Sequence, residues 1–212
     1  MKRGGTNASF TDRICYINCH QMGHLETEVK ISVDPAGLLQ IRSRLSELGA
    51  RPLAERAKEE NLLFDFPDHR LEREGYALRL RAYGEESLLT FKGKAREDSR
   101  LKEREEIETQ VSDGVATREL LCSLGLGVSF RYAKYREILE LFLSGEKVVF
   151  CLDETPVGAF VEIEGSEAAI DEAAALFGWG SDSFVRTNYV KLYREGAEEG
   201  GERSGSSLPC RE

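Results

Sequence analysis

Leu25-Glu26-Thr27-Glu28-Val29-Lys30-Ile31 places a charged residue at every second position. In an extended strand, side chains two apart share a face. Glu26, Glu28 and Lys30 therefore point one way, and Leu25, Thr27, Val29 and Ile31 the other. The same parity joins Arg79 with Arg81, Lys92 with Lys94, Arg104 with Glu106 and Glu108, Lys134 with Arg136, and Glu162 with Glu164. Any half-solvated sheet presents such a face, and for a single pair solubility explains it. The apolar partners change the reading: Leu78 and Leu80 alternate with the arginines, and Val161 and Ile163 with the last acid pair. If helices cover these apolar faces, the charges line the concave side, and a sheet that closes on itself becomes a tunnel holding both signs.

Three amphipathic helices can do the covering. Asp34 caps one that opens on Pro35, carries Leu38, Leu45 and Leu48, and stops at Gly49. Asp113 caps a second with Leu120, Leu121 and Leu124 before Gly125, and Ser166 starts a third with Ile170, Ala173, Ala174 and Phe177 before Gly178. Each follows a strand bearing a Glu-x-Glu pair (Glu26 and Glu28, Glu106 and Glu108, Glu162 and Glu164), a weak internal repeat of strand, acid pair and helix. The expected fold class is α+β, an antiparallel sheet with short helices packed outside.

With 212 residues, 41% hydrophobic and 32% charged, the chain is expected to form one folded domain over residues 24–194. The leader over 1–22 and the Gly-, Ser- and Glu-rich tail over 195–212 are expected to be irregular. A formal net charge of −9 argues against a nucleic-acid polymer or an anionic membrane surface as partner. No run reaches the about 18 apolar residues of a membrane helix, and the first residues lack the apolar core of a signal peptide. A cytoplasmic location is expected, and Met22 would serve as a start as well as Met1. Cys15, Cys19, Cys122, Cys151 and Cys210 follow no regular spacing, so they give no disulfide framework and are read as reduced thiols. Cys15, Cys19, His20 and His24 lack the second ligand pair of a zinc finger. His69 reads as part of a surface turn, Cys151 as an inert buried thiol, and Trp179 as packing at the end of the third helix.

A tunnel of bases and carboxylates is costly to desolvate unless its contents balance it. Bases that grip an extended polyanion, with acids that hold divalent cations bridging to the same oxygens, provide that balance. Oxygen donors without His or Cys favour Mg²⁺ or Mn²⁺ over zinc. A triphosphate, with about four negative charges near neutral pH, has the right scale.

Glu26-Thr27-Glu28-Val29-Lys30 resembles the ExExK signature that opens CYTH domains, the triphosphate tunnel family. The likeness continues in order through Leu78-Arg79-Leu80-Arg81, Thr90-Phe91-Lys92-Gly93, Arg104-Glu105-Glu106-Ile107-Glu108 and Lys134-Tyr135-Arg136. It ends in Leu152-Asp153 followed by Pro156, Gly158 and Phe160-Val161-Glu162-Ile163-Glu164, and so covers nearly all of Glu26 to Tyr193. The resemblance implies a closed antiparallel eight-stranded β-barrel with metal at one side of its tunnel. It implies Glu26, Glu28, Asp153, Glu162 and Glu164 as ligands of Mg²⁺ or Mn²⁺, and Lys30, Arg79, Arg81, Lys92, Lys134 and Arg136 as the catalytic grip on phosphate. Arg104 and Lys191, the latter near the end of the last strand, become further substrate contacts, with Glu106 and Glu108 as supporting acids.

That family includes inorganic triphosphatases, thiamine triphosphatases and class IV adenylyl cyclases. The expected partner is therefore a small-molecule triphosphate: tripolyphosphate, thiamine triphosphate or ATP. Hydrolysis leads, because water needs no adenine pocket. Conversion of ATP to cyclic AMP and pyrophosphate is the alternative, since Asn61-Leu62-Leu63-Phe64-Asp65 through Arg81 resembles proteins grouped with the class IV cyclases. A module that only binds polyphosphate could dispense with the acids, and here all three pairs are present.

Overall fold

A computed structural model describes residues 24–200. Its strands are β1 (His24–Val33), β2 (Arg51–Asp65), β3 (Ala77–Tyr83), β4 (Glu86–Lys92), β5 (Lys102–Val111), β6 (Gly127–Leu143), β7 (Glu146–Thr155) and β8 (Gly158–Glu164). Its helices are α1 (Pro35–Glu47), α2 (Arg70–Glu74), α3 (Gly114–Ser123), α4 (Glu167–Ala175) and α5 (Tyr189–Gly200). The strands close into one barrel in the order β1-β5-β4-β3-β2-β6-β7-β8, every neighbouring pair antiparallel. Register shifts in the long β2–β6 pair, between Pro52 and Ala54, Ala54 and Ala57, and Leu63 and Phe64, bend these strands as closure requires.

The outward faces are apolar where helices cover them. Val29, Ile31, Phe150, Val161 and Ile163 pack against Leu38, Ile41 and Leu45 of α1 and Ile170, Ala173 and Ala174 of α4. Phe64, Leu80 and Val128 pack against Leu121 of α3. All three expected caps form: Gly37 N donates to Asp34 Oδ1 at 2.6 Å, Ala116 N to Asp113 Oδ1 at 2.9 Å, and Ala169 N to Ser166 Oγ at 3.2 Å. Gly49, at φ +83°, supplies the left-handed turn that ends α1. On α3 only Leu121 is buried, while Leu120 and Leu124 are exposed.

Inside the barrel, Tyr83, Ile138, Val149 and Cys151 share strand faces with Arg81, Arg136 and Asp153. They join Leu53 and Ala54 in an apolar plug at the end where β3 stops and β7 starts. At the other end α5 lays Tyr189 and Tyr193, four residues apart, against Phe130, Tyr132 and Phe160. An irregular tail was expected from residue 195, yet α5 carries helix to Gly200. Residues 1–23 and 201–212, with Cys15, Cys19, His20 and Met22, lie outside the described residues, and of His24 only the backbone, opening β1, is described.

Cys151 is a free buried thiol, whereas Cys122 is disulfide-bonded. That corrects the reduced-thiol reading, since an odd, irregular count argues against a framework but not against one bridge. His69 lies in an exposed turn at φ 55° before α2, and Trp179 stacks on Phe177 at 4.7 Å. No helix among the described residues is long and apolar enough to cross a membrane.

Candidate functional site

The inward faces of the strands converge on a cavity of about 110 Å³. Lys30, Arg79, Arg81, Lys92, Lys102, Arg104, Lys134 and Arg136 line it together with Glu26, Glu28, Glu162 and Glu164. Eight bases thus face four carboxylates in the lining itself.

Four more carboxylates stand behind the bases. Asp153 is 0% exposed. Its Oδ1 accepts from Arg136 Nε at 2.6 Å, and its Oδ2 from Arg136 Nη2 at 2.6 Å, Lys134 Nζ at 3.0 Å and Tyr189 Oη at 2.5 Å. Glu59, equally buried, lies 3.5 Å from Lys134 Nζ and 3.8 Å from both Arg81 Nε and Arg136 Nε, and accepts from Asn61 Nδ2 at 2.9 Å. Glu106 holds Lys92 and, at 2.9 Å, Arg104 Nε. Glu108 lies 3.8 Å from Arg79 Nη2 and accepts from Thr90 at 2.7 Å. The bases are therefore locked before any ligand arrives, the preorganisation that electrostatic stabilisation needs.

This layer has a pH signature. Burial alone would push these carboxyls up, but the cations overcome it: Lys134, Arg81 and Arg136 hold Glu59 far below the usual carboxylate range, and Lys92, a hydrogen bond with Glu26 and Arg104 pull Glu106 down to about 2. A lowered carboxyl adds stability above its unfolded value near 4.5, and that stability is lost as pH falls toward the folded value. Glu106 alone accounts for about 3 kcal/mol. The thermal unfolding midpoint should drop steeply between about pH 4.5 and 2. A flat profile across that window would show that the buried pairs do not form.

The remaining acids are crowded as well as paired, Glu26 with Lys92 at 3.4 Å, Glu28 with Lys102, and Glu162 with Arg136 and, at 3.4 Å, Lys30. Carboxylate oxygens of Glu26, Glu28 and Glu164 lie within 4.8 Å of one another, and Glu162 adjoins them in a second group with Glu164 and Cys151. Burial, then Glu26 and Glu28, push the Glu164 carboxyl up to about 8; burial also raises Glu26. Such mutual repulsion is what a divalent cation relieves, and an all-oxygen donor set fits a hard ion. Burial holds Cys151 as the thiol, a poor ligand. A third cluster, Asp65, His69 and Glu72, lies at α2 outside the tunnel. There Asp65 accepts from the backbone of Phe66, Leu71 and Glu72 at 2.7, 3.0 and 2.9 Å and serves as a cap.

Of the residues expected at the site, Glu26, Glu28, Glu162, Glu164, Lys30, Arg79, Arg81, Lys92, Arg104, Lys134 and Arg136 come together around the cavity. Asp153, expected with the metal ligands, lies against Lys134 and Arg136 with both oxygens accepting hydrogen bonds, and Glu106 and Glu108 stand beside bases as the supporting acids expected. Lys191 is not on a strand: it lies on α5, its side chain 67% exposed and 3.8 Å from Glu195, because Tyr189 and Tyr193 take the barrel side of that helix. Lys94 lies past the end of β4 and pairs with Glu97 at 3.6 Å in solvent. Glu59, Asn61, Lys102 and Tyr189 were not anticipated. Lys102 shares strand parity with Arg104 and Glu106, a signal that could have found it, and it pairs with Glu28. An outer chamber of about 290 Å³ adjoins the cavity, sharing Leu63, Ala77, Arg104, Asn188 and Val190 with it and adding Tyr76, Phe130 and Arg194.

Against known proteins, the CYTH domain model matches residues 24–178. A Methanocaldococcus jannaschii protein provisionally named an adenylate cyclase is 25% identical over 179 residues, 79% of this chain and 98% of its own. The solved PH1012 protein of Pyrococcus horikoshii OT3 is 25% identical with a TM-score of 0.64, covering 79% of this chain and 98% of that one. A Hippeastrum protein described with a dominant triphosphatase activity superposes with a TM-score of 0.63 over 88% of this chain and 99% of its own. At 15% identity, that likeness bears on the fold alone.

Proposed function

The chain belongs to the CYTH domain family, and on that premise we propose that it hydrolyses a small-molecule triphosphate with the help of Mg²⁺ or Mn²⁺. The observation that carries the reading is the charge of the cavity. Eight bases line it beside four carboxylates, and their charge-assisted donors suit the oxygens of a triphosphate with its about four negative charges. Lys30, Arg79, Arg81, Lys92, Arg104, Lys134 and Arg136 grip the phosphate oxygens in one register. Because Glu59, Glu106, Glu108 and Asp153 already hold most of these bases, charge developing on the transferred phosphoryl group meets donors that need not move. Glu26, Glu28, Glu162 and Glu164 would hold the cation, which supplies Lewis-acid charge and a more acidic water when bound.

Cyclisation of ATP is the second reading. The outer chamber offers room for a group attached to the phosphates, and the M. jannaschii relative carries the name of a cyclase. Purified protein incubated with Mg²⁺ or Mn²⁺ and, in parallel, tripolyphosphate, thiamine triphosphate and ATP distinguishes the two. The expected result is orthophosphate, suppressed by EDTA. Cyclic AMP with equimolar pyrophosphate would replace hydrolysis by cyclisation. Tripolyphosphate bound equally well with and without metal, and never turned over, would leave a binding module.

A further inference from the structure

Tyr189, the first residue of α5, reaches into the charged cavity from a helix outside the barrel wall. Its ring is 7% exposed, held edge-on by Phe160 at 5.6 Å and stacked with Tyr132 at 6.0 Å. Lys30 Nζ lies 3.8 Å and Lys134 Nζ 4.4 Å from its centroid. Its hydroxyl donates at 2.5 Å to Asp153 Oδ2, the oxygen that also accepts from Lys134. The segment before it clamps the same lysine: Val185 N donates to Lys30 O at 2.7 Å, and Lys30 Nζ to Thr187 O at 3.2 Å. Lys30 and Lys134 come from β1 and β6, strands that do not pair, and their ammonium groups repel each other.

Resting on the triphosphate reading above, we propose that Tyr189 is a positioning residue for the phosphate grip, its ring holding Lys30 and Lys134 where both meet one triphosphate. Glu162 already lies 3.4 Å from Lys30 Nζ and Asp153 3.0 Å from Lys134 Nζ, and a further carboxylate between the two would cancel charge meant for phosphate. An aromatic face attracts cations through its quadrupole and carries no net charge, so it steadies them and leaves their charge to the ligand.

The experiment grades the ring without changing its shape, reading tripolyphosphate affinity by calorimetry without divalent metal, and kcat and KM with Mg²⁺. Tyr189→Phe keeps the ring and loses only the hydrogen bond to an Asp153 that Arg136 and Lys134 still satisfy, so affinity should stay within about fivefold of wild type. Pentafluorophenylalanine at position 189 keeps the shape and reverses the charge of the faces. Affinity should then fall about 10- to 30-fold below Tyr189→Phe, with KM rising in proportion. A ring that merely packs would give the two variants equal affinity and KM, and that result overturns the proposal. A wild type that does not bind tripolyphosphate removes this inference together with the functional reading, whereas a flat series in a wild type that binds removes this inference alone.

Discussion

Glu28→Gln is expected to cut metal-dependent turnover by about 10³-fold or more while the unfolding midpoint stays within about 4 °C of wild type. Glu28 is 7% exposed and crowds against Glu26 and Glu164, so the amide removes one of the negative charges on which cation binding depends. The fold should tolerate the change. Lys102 loses its partner but keeps 19% side-chain exposure, and one source of repulsion on the Glu164 carboxyl disappears. Turnover titrated against Mg²⁺ checks the claim, and full activity in the variant would take Glu28 out of the metal site.

Asp153→Asn should do the opposite, costing about 3–5 kcal/mol of stability because it leaves the Arg136 guanidinium and the Lys134 ammonium buried with less countercharge. Both bases are almost fully buried, at 4% and 3% exposure, so solvent cannot compensate. Chemical denaturation reads the loss directly, and a variant as stable as wild type would show that Glu59 and Glu162 suffice to hold the two bases. The same variant tests what Asp153 does. As the anchor of Lys134 and Arg136, its loss weakens tripolyphosphate binding and leaves the Mg²⁺ midpoint in place. As a metal ligand, its loss moves that midpoint.

The barrel was legible wherever parity was clean. On β1, β3 and β8 one face is apolar and the other charged, which sorts inside from outside before any contact is known. The capped helices were legible for a similar reason, since Asp34, Asp113 and Ser166 each satisfy orphan amides within a few residues. On β2 the signal disappears. Lys58 and Glu60 pair on the solvent side at 2.7 Å while Glu59 and Asn61 are 0% exposed inside, so polar residues on both faces conceal the interior ones. Tyr189 was invisible for another reason: its partners Lys30, Lys134 and Asp153 lie far off in sequence, and its own neighbours mark only a helix. Parity put Asp153 on the inward face but gave no depth, and there it meets Lys134 and Arg136. Lys191 and Lys94 show the converse limit, since parity means nothing once the strand has ended.

The plug formed by Tyr83, Ile138, Val149 and Cys151 makes the corridor a cul-de-sac. With one door, traffic is first in, last out. On the hydrolysis proposed above, the innermost fragment of a divided chain would wait until the outer one had left, and a longer chain would dip only its tip. A queue is thus built into the architecture, independent of the chemistry at its head.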